Sequence, residues 1–465
     1  MSKLQKHLQN LIVDKKNIRH SLAVAAILRV ILMLITYLRT GTAVMTQGDT
    51  ASYLEPGRNL ILHGMYTSGG LPEIDRTPGY PLFVNLTGML FNNALTVVVC
   101  QIALSLISLI LISRITTRTF RNQRAGMIAA WLYAIEPVSL MYTTRLMPET
   151  LFTALLLLVI DRLLAYRSSG KIRAIAMAGL ALAAATYVRP VSYYLVFALA
   201  IGLAIITAAG KPNWWKSPAV LLLTCLPLLV LWQVRNGIET GYHGFSSIVE
   251  KNLYFYQSAE ITAELNHISL LEQQSRLAYS DESRFLAIHP ELRNSSQAQR
   301  LSMMHHDAAT ILTANRLLYL KSHMAGVGVV AFTPCAAELL ELLGAYPSDH
   351  AMPRRVLNEG ILHSLIVVIA LHPAVAATMC VLEGILLLLY VLSVIGIGKG
   401  SADRYCLAVL IGVAMYFLLI SGGAQAVGRY RLPIMPVICV LAAGGITTLQ
   451  SKKRGVSTTD PTPVF

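Results

Sequence analysis

The chain has 465 residues, of which 55% are hydrophobic and only 13% charged, about half the charged share of an ordinary soluble domain; its mean hydropathy is +0.57. That much apolar surface cannot be hidden in a soluble fold, which excludes a secreted, nuclear or cytosolic globular enzyme, and it is the opposite of the disorder signature. A net charge of +14 raises nucleic acid as a partner, but where the charges lie along the chain removes it. The N-terminal cations Lys3, Lys6, Lys15, Lys16 and Arg19 precede an apolar run with no small-residue cleavage site, so no cleavable signal is expected there. The cysteines (Cys100, Cys225, Cys335, Cys380, Cys406, Cys439) show no CxxC or Cys/His ligand spacing, and neither a zinc site nor a disulfide framework is expected.

A helix needs about 20 mostly apolar residues to cross about 30 Å of hydrocarbon. Ten segments are candidate spans: Ser21–Leu38, Leu95–Ser113, Ala125–Tyr142, Thr150–Ala165, Ile172–Val188, Val191–Ala209, Pro218–Val234, Pro373–Ile397, Tyr405–Ile420 and Leu432–Thr448. The expected class is therefore an all-α polytopic membrane protein. Its parts are a cytoplasmic N-terminus (1–20), a membrane module (21–234) with a long first external loop (39–94), and an external, mostly helical region (235–372). A second membrane module (373–449) and a cytoplasmic tail (450–465) follow. Two apolar stretches in the external region, His323–Leu343 and Leu357–Leu371, are ambiguous. Pro334, Glu338 and Glu341 interrupt the first and the second is short, so both read as interfacial helices. If both cross instead, the spans number twelve.

Short cytoplasmic loops are rich in Lys and Arg. With the N-terminus inside, one set of segments holds Arg114, Arg118, Arg121 and Arg124, then Arg167, Lys171 and Arg173, then Lys211, Lys216, Lys399, Arg404 and the tail's Lys452, Lys453 and Arg454. The opposite side is close to balanced. The positive excess is thus a topological label, with both termini cytoplasmic and no nucleic-acid footprint.

Chemistry concentrates on that opposite, outer side. The first external loop reads Gly48-Asp49-Thr50-Ala51-Ser52-Tyr53 and later Arg76-Thr77-Pro78-Gly79-Tyr80-Pro81. Thr77-Pro78 is a good helix start, with Thr as N-cap and Pro as first residue. The bland reading of Asp49 is an N-cap; that of Arg76 is a snorkelling cation. The third-to-fourth turn carries Arg145-Leu146-Met147-Pro148-Glu149, where Glu149 falls in a first helical turn and equally complements the macrodipole. Glu136, ahead of Pro137 inside an apolar span, is either functional or the end of a shortened helix. Arg189-Pro190, Arg235-Asn236 and Arg429-Tyr430-Arg431 stand at outer ends of spans. Taken one at a time they are anchors; gathered, they make what a membrane-bound phosphate needs, because guanidinium offers fixed bidentate hydrogen bonds and stays charged. His305-His306-Asp307 reads as a solvated helix face, since adjacent helical histidines point apart, and no Walker A or glycine-rich nucleotide loop is present.

These motifs, in this order, resemble the GT-C superfamily of integral-membrane glycosyltransferases, in the branch that uses polyprenyl-phosphate monosaccharides. That branch includes protein O-mannosyltransferases, the lipid A aminoarabinose transferase and lipopolysaccharide-core galacturonosyltransferases. The similarity runs from about Ile18 to Val440. It implies a GT-C-like helix bundle in a bacterial inner membrane, with the site facing outward and juxtamembrane helices in the first loop. It also implies an inverting transfer from a polyprenyl-phosphate sugar to a glycan or lipid hydroxyl. Asp49 would be the general base with Glu149 assisting, and Arg76, Arg189, Arg429 and Arg431 would hold the donor phosphate. Tyr53, Tyr80, Arg145, Arg235 and Asn236 would bind substrate. Interfacial burial is expected to raise the basicity of Asp49. The single acid of Gly48-Asp49-Thr50, where protein-directed relatives have a pair, weighs against a tightly bound divalent cation, though a cation stays open, and against a protein acceptor. A transporter or flippase of lipid-linked glycans, a polymerase or ligase using a diphosphate-linked donor, and an envelope assembly scaffold are the alternatives.

Overall fold

A computed structural model describes residues 15–46, 48–208, 213–346, 369–370, 372–399 and 402–453. All of the expected interfacial helix Leu357–Leu371 except residues 369–370, most of the tail and most of the N-terminal segment lie outside the described residues. All ten apolar segments form helices. In chain order these are α1 (Lys15–Thr40), α2 (Thr50–His63) and α3 (Gly79–Thr87) in the first loop, α4 (Ala94–Phe120), α5 (Gln123–Ile135), α6 (Pro137–Met141), α7 (Glu149–Ser169) and α8 (Ile172–Val188). They continue as α9 (Leu195–Ala208) and α10 (Lys216–Thr240). The external region adds α11 (Ile248–Asn252), a π-helical turn over Leu253–Ser258, α12 (Ala259–Leu265), α13 (Leu270–Arg276), α14 (Glu282–Ile288), α15 (Gln297–Ala314), α16 (Arg316–Phe332) and α17 (Ala336–Leu342). The chain closes with α18 (Pro373–Lys399), α19 (Arg404–Ile420) and α20 (Met435–Lys453). Among the described residues a two-residue hairpin, Thr67–Ser68 against Leu71–Pro72, is the whole of the β-structure. Four helices are long and apolar enough by themselves to cross a membrane, within α1, α4, α10 and α18; α8, α9, α19 and α20 are shorter apolar helices.

Each departure from the expected elements has a local cause. The third span breaks at Glu136-Pro137: a proline lacks the N–H that would continue the helix, so α5 ends and α6 starts. The Glu136 carboxylate accepts the N–H groups of Val138 (3.1 Å) and Ser139 (2.6 Å) as an N-cap, which satisfies a buried acid without any chemistry. Pro334 similarly splits His323–Leu343 into α16 and α17, bent by 46°. Thr77 does not cap α3; the helix starts at Gly79, and the Thr77 hydroxyl is buried without a partner.

The core joins the two membrane modules. In it α7 packs on α8 and α4, α10 packs on α8, and α20 packs on α18 and α5. In lipid, where apolar side chains give helices no net reason to associate, close packing of small residues does. At the α18–α20 contact a Cβ on Gly445 would overlap Leu392 O, and one on Gly396 would overlap Leu441 O, so the backbones touch only because both positions are glycine. A second, smaller core lies in the external region around Tyr254, Phe255, Phe285, Leu301 and Met304, and it includes Ile74 of the first loop. Gly445→Leu is expected to wedge α18 from α20, at a cost on the order of 1–3 kcal/mol for overpacking; a lowered midpoint of thermal unfolding in detergent, with wild-type behaviour in Gly384→Leu where the same Cβ meets nothing, checks it.

Candidate active site

The start of α2, the start of α7, the end of α8 and the turn before α20 meet at one end of the bundle and deliver Asp49, Glu149, Arg189 and Arg429, with Arg76 added by the first loop. Asp49 stands at the N-cap position of α2, yet its carboxylate does not cap the helix. It lies instead between two guanidiniums: Arg76 Nη2 at 3.2 Å from Oδ1 and Arg429 Nη2 at 2.8 Å from Oδ2. Arg76 also donates to the Tyr53 hydroxyl (3.1 Å) and lies over the Tyr53 ring at 4.7 Å. Glu149, the first residue of α7, is almost fully buried and takes Arg189 Nη1 at 3.3 Å, while its Oε2 has no partner. Tyr430 joins the two pairs, because Arg189 and Arg429 lie over its ring at 5.6 and 5.5 Å. Tyr430 was missed as a site residue; its position between two arginines in Arg429-Tyr430-Arg431 was the available signal.

The electrostatics follow from this arrangement. Burial pushes the Asp49 carboxyl up, but Arg76 and Arg429 outweigh it and hold it below the ordinary aspartate value. The expected rise in basicity is therefore not what the site provides at rest. Burial also lowers the basicity of Arg429, and Glu149, Tyr430 and Asp49 reverse that, so its guanidinium is held charged. Burial takes the Tyr53 hydroxyl up to about 12, which leaves it a neutral hydrogen-bonding group. Three guanidiniums against two carboxylates leave one positive charge, and the Arg429 Nε is buried with no partner. The cluster is net positive with a carboxylate at its centre.

Other expected site residues are used elsewhere. Arg431 is buried and donates to the carbonyls of Val330 (2.9 Å), Ala331 (3.0 Å) and Thr333 (3.0 Å); it caps the C-terminal end of α16, where a cation meets the negative end of the helix dipole. The Gly428–Arg431 turn is a 3-10 helix, and at three residues per turn positions 429 and 431 face different ways. Arg145 is held by Glu341 (2.5 Å) and the carbonyl of Glu338. Tyr80 is fully buried, with its hydroxyl on Gln101 Oε1 (3.0 Å). Asn236 is buried and donates to the carbonyls of Gly244 and Phe245.

Arg235 does not reach Asp49 either, but it shapes the loop that does. It donates to Glu73 O (2.7 Å) and Tyr66 O (2.8 Å). Next along, Asp75 binds the external region through Ser247 and Lys251, and Ser246 Oγ donates to Asp75 O (2.6 Å). Arg76 is thus fixed from both sides. Among the described residues no three His, Cys, Asp or Glu side chains gather as metal ligands. His305 and His306 are exposed. The donor set at Asp49 and Glu149 does not fit a divalent cation, because guanidiniums already sit on both carboxylates.

Residues 75–234 match the family model described as dolichyl-phosphate-mannose-protein mannosyltransferase. No curated protein matches the chain. Among solved structures it is similar to the Archaeoglobus fulgidus oligosaccharyltransferase in the apo form, at 12% identity and a TM-score of 0.51, over 96% of this chain and 53% of that one. The same enzyme tethered to an acceptor peptide gives 12%, 0.50, 96% and 51%. ArnT from Cupriavidus metallidurans bound to undecaprenyl phosphate gives 12%, 0.39, 92% and 78%. The chain spans about half the length of the oligosaccharyltransferase. The likeness is one of fold, to the oligosaccharyltransferase's membrane architecture, and the family-model match is confined to residues 75–234.

Two outcomes are expected here. Arg431→Ala strands the Val330 carbonyl, on the order of 1–3 kcal/mol when unsatisfied, and leaves Ala331 O only the Tyr390 hydroxyl and Thr333 O only the Cys335 thiol; thermal unfolding should show a lowered midpoint. Because the folded-state value of Asp49 is depressed, its ion pairs contribute stability above the ordinary aspartate value of 3.8 and lose it as pH falls through the lower folded value. Stability measured against pH should carry that acid-side loss in the wild type and lack it in Asp49→Asn.

Proposed function

We propose that the protein is an inverting glycosyltransferase that moves a monosaccharide from a polyprenyl-phosphate donor to a hydroxyl on a glycan or lipid acceptor. The observation that carries this reading is the Arg76–Asp49–Arg429 cluster, a carboxylate held between two guanidiniums at one end of an apolar helix bundle. The positive-inside bias of the loops supports a site outside the cytoplasm, with both termini inside. The prenyl chain lies against the helices and its phosphate enters the guanidinium cluster.

The donor phosphate competes with Asp49 for Arg429 and Arg76. Each guanidinium that turns to the phosphate removes a positive charge from beside the carboxylate, and its pKa rises toward the range in which it accepts a proton. The base is therefore weakest in the resting enzyme and strengthens as the donor binds. The acceptor hydroxyl oxygen attacks C1 from the face opposite the phosphate. The C1–O bond to phosphate breaks with its electron pair leaving on phosphate, and the hydroxyl proton passes to Asp49. Arg189 and Arg429 stabilise the leaving charge, acting where it develops. Glu149 orients Arg189. A midplane transport site is less well supported, since transporters place polar groups and broken helices at the bilayer centre, whereas these charges sit at helix ends.

The test uses radiolabelled polyprenyl-phosphate sugar and envelope glycolipid in reconstituted membranes. Asp49→Asn is expected to insert normally and lose transfer by about two orders of magnitude or more, the usual scale of general-base removal. Arg429→Ala should raise the donor KM. Full transfer by Asp49→Asn would exclude it as the base; donor movement across the bilayer without labelled product would favour a transporter.

A further inference from the structure

A second charged cluster lies at the other end of the bundle and takes no part in the chemistry above. Asp161 is the thirteenth residue of α7, about 18 Å along the helix axis from Glu149 at 1.5 Å per residue. It is fully buried, and three guanidiniums surround it. Arg114 Nη2 lies 3.5 Å from Oδ2, Arg162 Nε donates to Oδ2 at 3.0 Å, and Arg118 Nη1 binds Oδ1 and also donates to Asp161 O at 3.1 Å. One carboxylate neutralises one of the three, so two positive charges remain.

These three differ from the other cations at this end. Arg121, Arg124, Arg167, Lys171 and Arg173 are exposed; Arg121 is 77% exposed and only loosely paired to Asp403 at 3.6 Å. They are free to solvate, as topological cations do. The side chains of Arg118 and Arg162 are 23% and 20% exposed and that of Arg114 39%, so a buried anchor holds their guanidiniums in place while N–H groups not used by Asp161 still reach outward. The start of α19 closes the third side, where Asp403 N donates to Thr119 O (2.8 Å) and Tyr405 Oη to Leu163 O (3.2 Å). Preorganised guanidinium with spare donors is a phosphate site, and one set between helices at a membrane end is where an acidic headgroup presents its phosphate.

We propose that Arg114, Arg118 and Arg162, fixed by Asp161, bind the headgroup phosphate of an anionic phospholipid in the leaflet opposite the Asp49 site. The occupant is a structural lipid, distinct from the donor, and its binding does not depend on the glycosyltransferase reading.

The test is lipid retention by the full-length protein released from nanodiscs of phosphatidylglycerol or of phosphatidylcholine, read by native mass spectrometry. The wild type should retain phosphatidylglycerol over phosphatidylcholine, and Arg114→Gln/Arg162→Gln should lose about five-fold of that preference per guanidinium removed. The control Arg121→Gln/Arg124→Gln removes equal charge from exposed positions and should keep the preference. Arg114→Gln alone, the most exposed of the three, serves if the double variant does not fold, with an expected five-fold loss. No preference in the wild type, or equal loss in the control, overturns the proposal. Inorganic phosphate that stabilises the protein against heat where phosphatidylglycerol does not would assign the site to free phosphate and also overturn it.

Discussion

A single aspartate shared by two arginines joins the parts of the chain that are furthest apart. Arg76 reaches Asp49 from the far end of the first external loop, and Arg429 reaches it across 380 residues from the turn ahead of the last helix. Both contacts are partly buried, with the Asp49 side chain 35% exposed and the arginines 21% and 25%, so they are screened less than a surface pair but not shut off from water. The same pairing that assembles the site keeps its carboxylate ionised and poorly basic. In the proposed reaction, assembly and reactivity are opposed until an anion arrives to share the guanidiniums, and the donor phosphate would then have two roles, leaving group and activator of the base.

The rest of the structure serves that pairing by holding the loop that bears Arg76. Arg235 grips the carbonyls of Tyr66 and Glu73 from the membrane module, and Asp75 is held by Ser247 and Lys251 of the external region. Ile74 is buried in the external region's own small core. The external helices therefore act on the site through two successive loop residues, Ile74 and Asp75, and bring Tyr256 close enough to feel the charge of Asp49.

Much of this was legible in the sequence, and what was not has physical reasons. Apolar length found ten segments that are helical, since the bilayer imposes it, but did not settle α16 and α17, which together are long and apolar enough for a broken span. Outer-end placement picked Asp49, Glu149, Arg76, Arg189 and Arg429, because charge at a helix end in an apolar chain has few places to go. The pattern could not separate Arg429 from Arg431: two residues apart in one turn, they face a carboxylate and a helix C-terminus, and only the backbone path decides which. Arg235 and Asn236 read as ligands because they stand beside the others, yet the free carbonyls of a folded loop claim them first. The basicity of Asp49 was misjudged in sign because burial alone was weighed, whereas two guanidiniums lie within hydrogen-bond reach. Glu136 shows the reverse case, an alarming buried acid made harmless by two backbone N–H groups.

The central claim is that donor phosphate and Asp49 contend for the same guanidiniums. The most direct measurement is a cryo-electron microscopy structure of the protein with a polyprenyl phosphate bound. The account predicts the phosphate within hydrogen-bond reach of Arg429 and Arg189, with Asp49 relieved of at least one of its two arginines and open to an acceptor. A phosphate seated elsewhere, with Arg76 and Arg429 both still on Asp49, would contradict it.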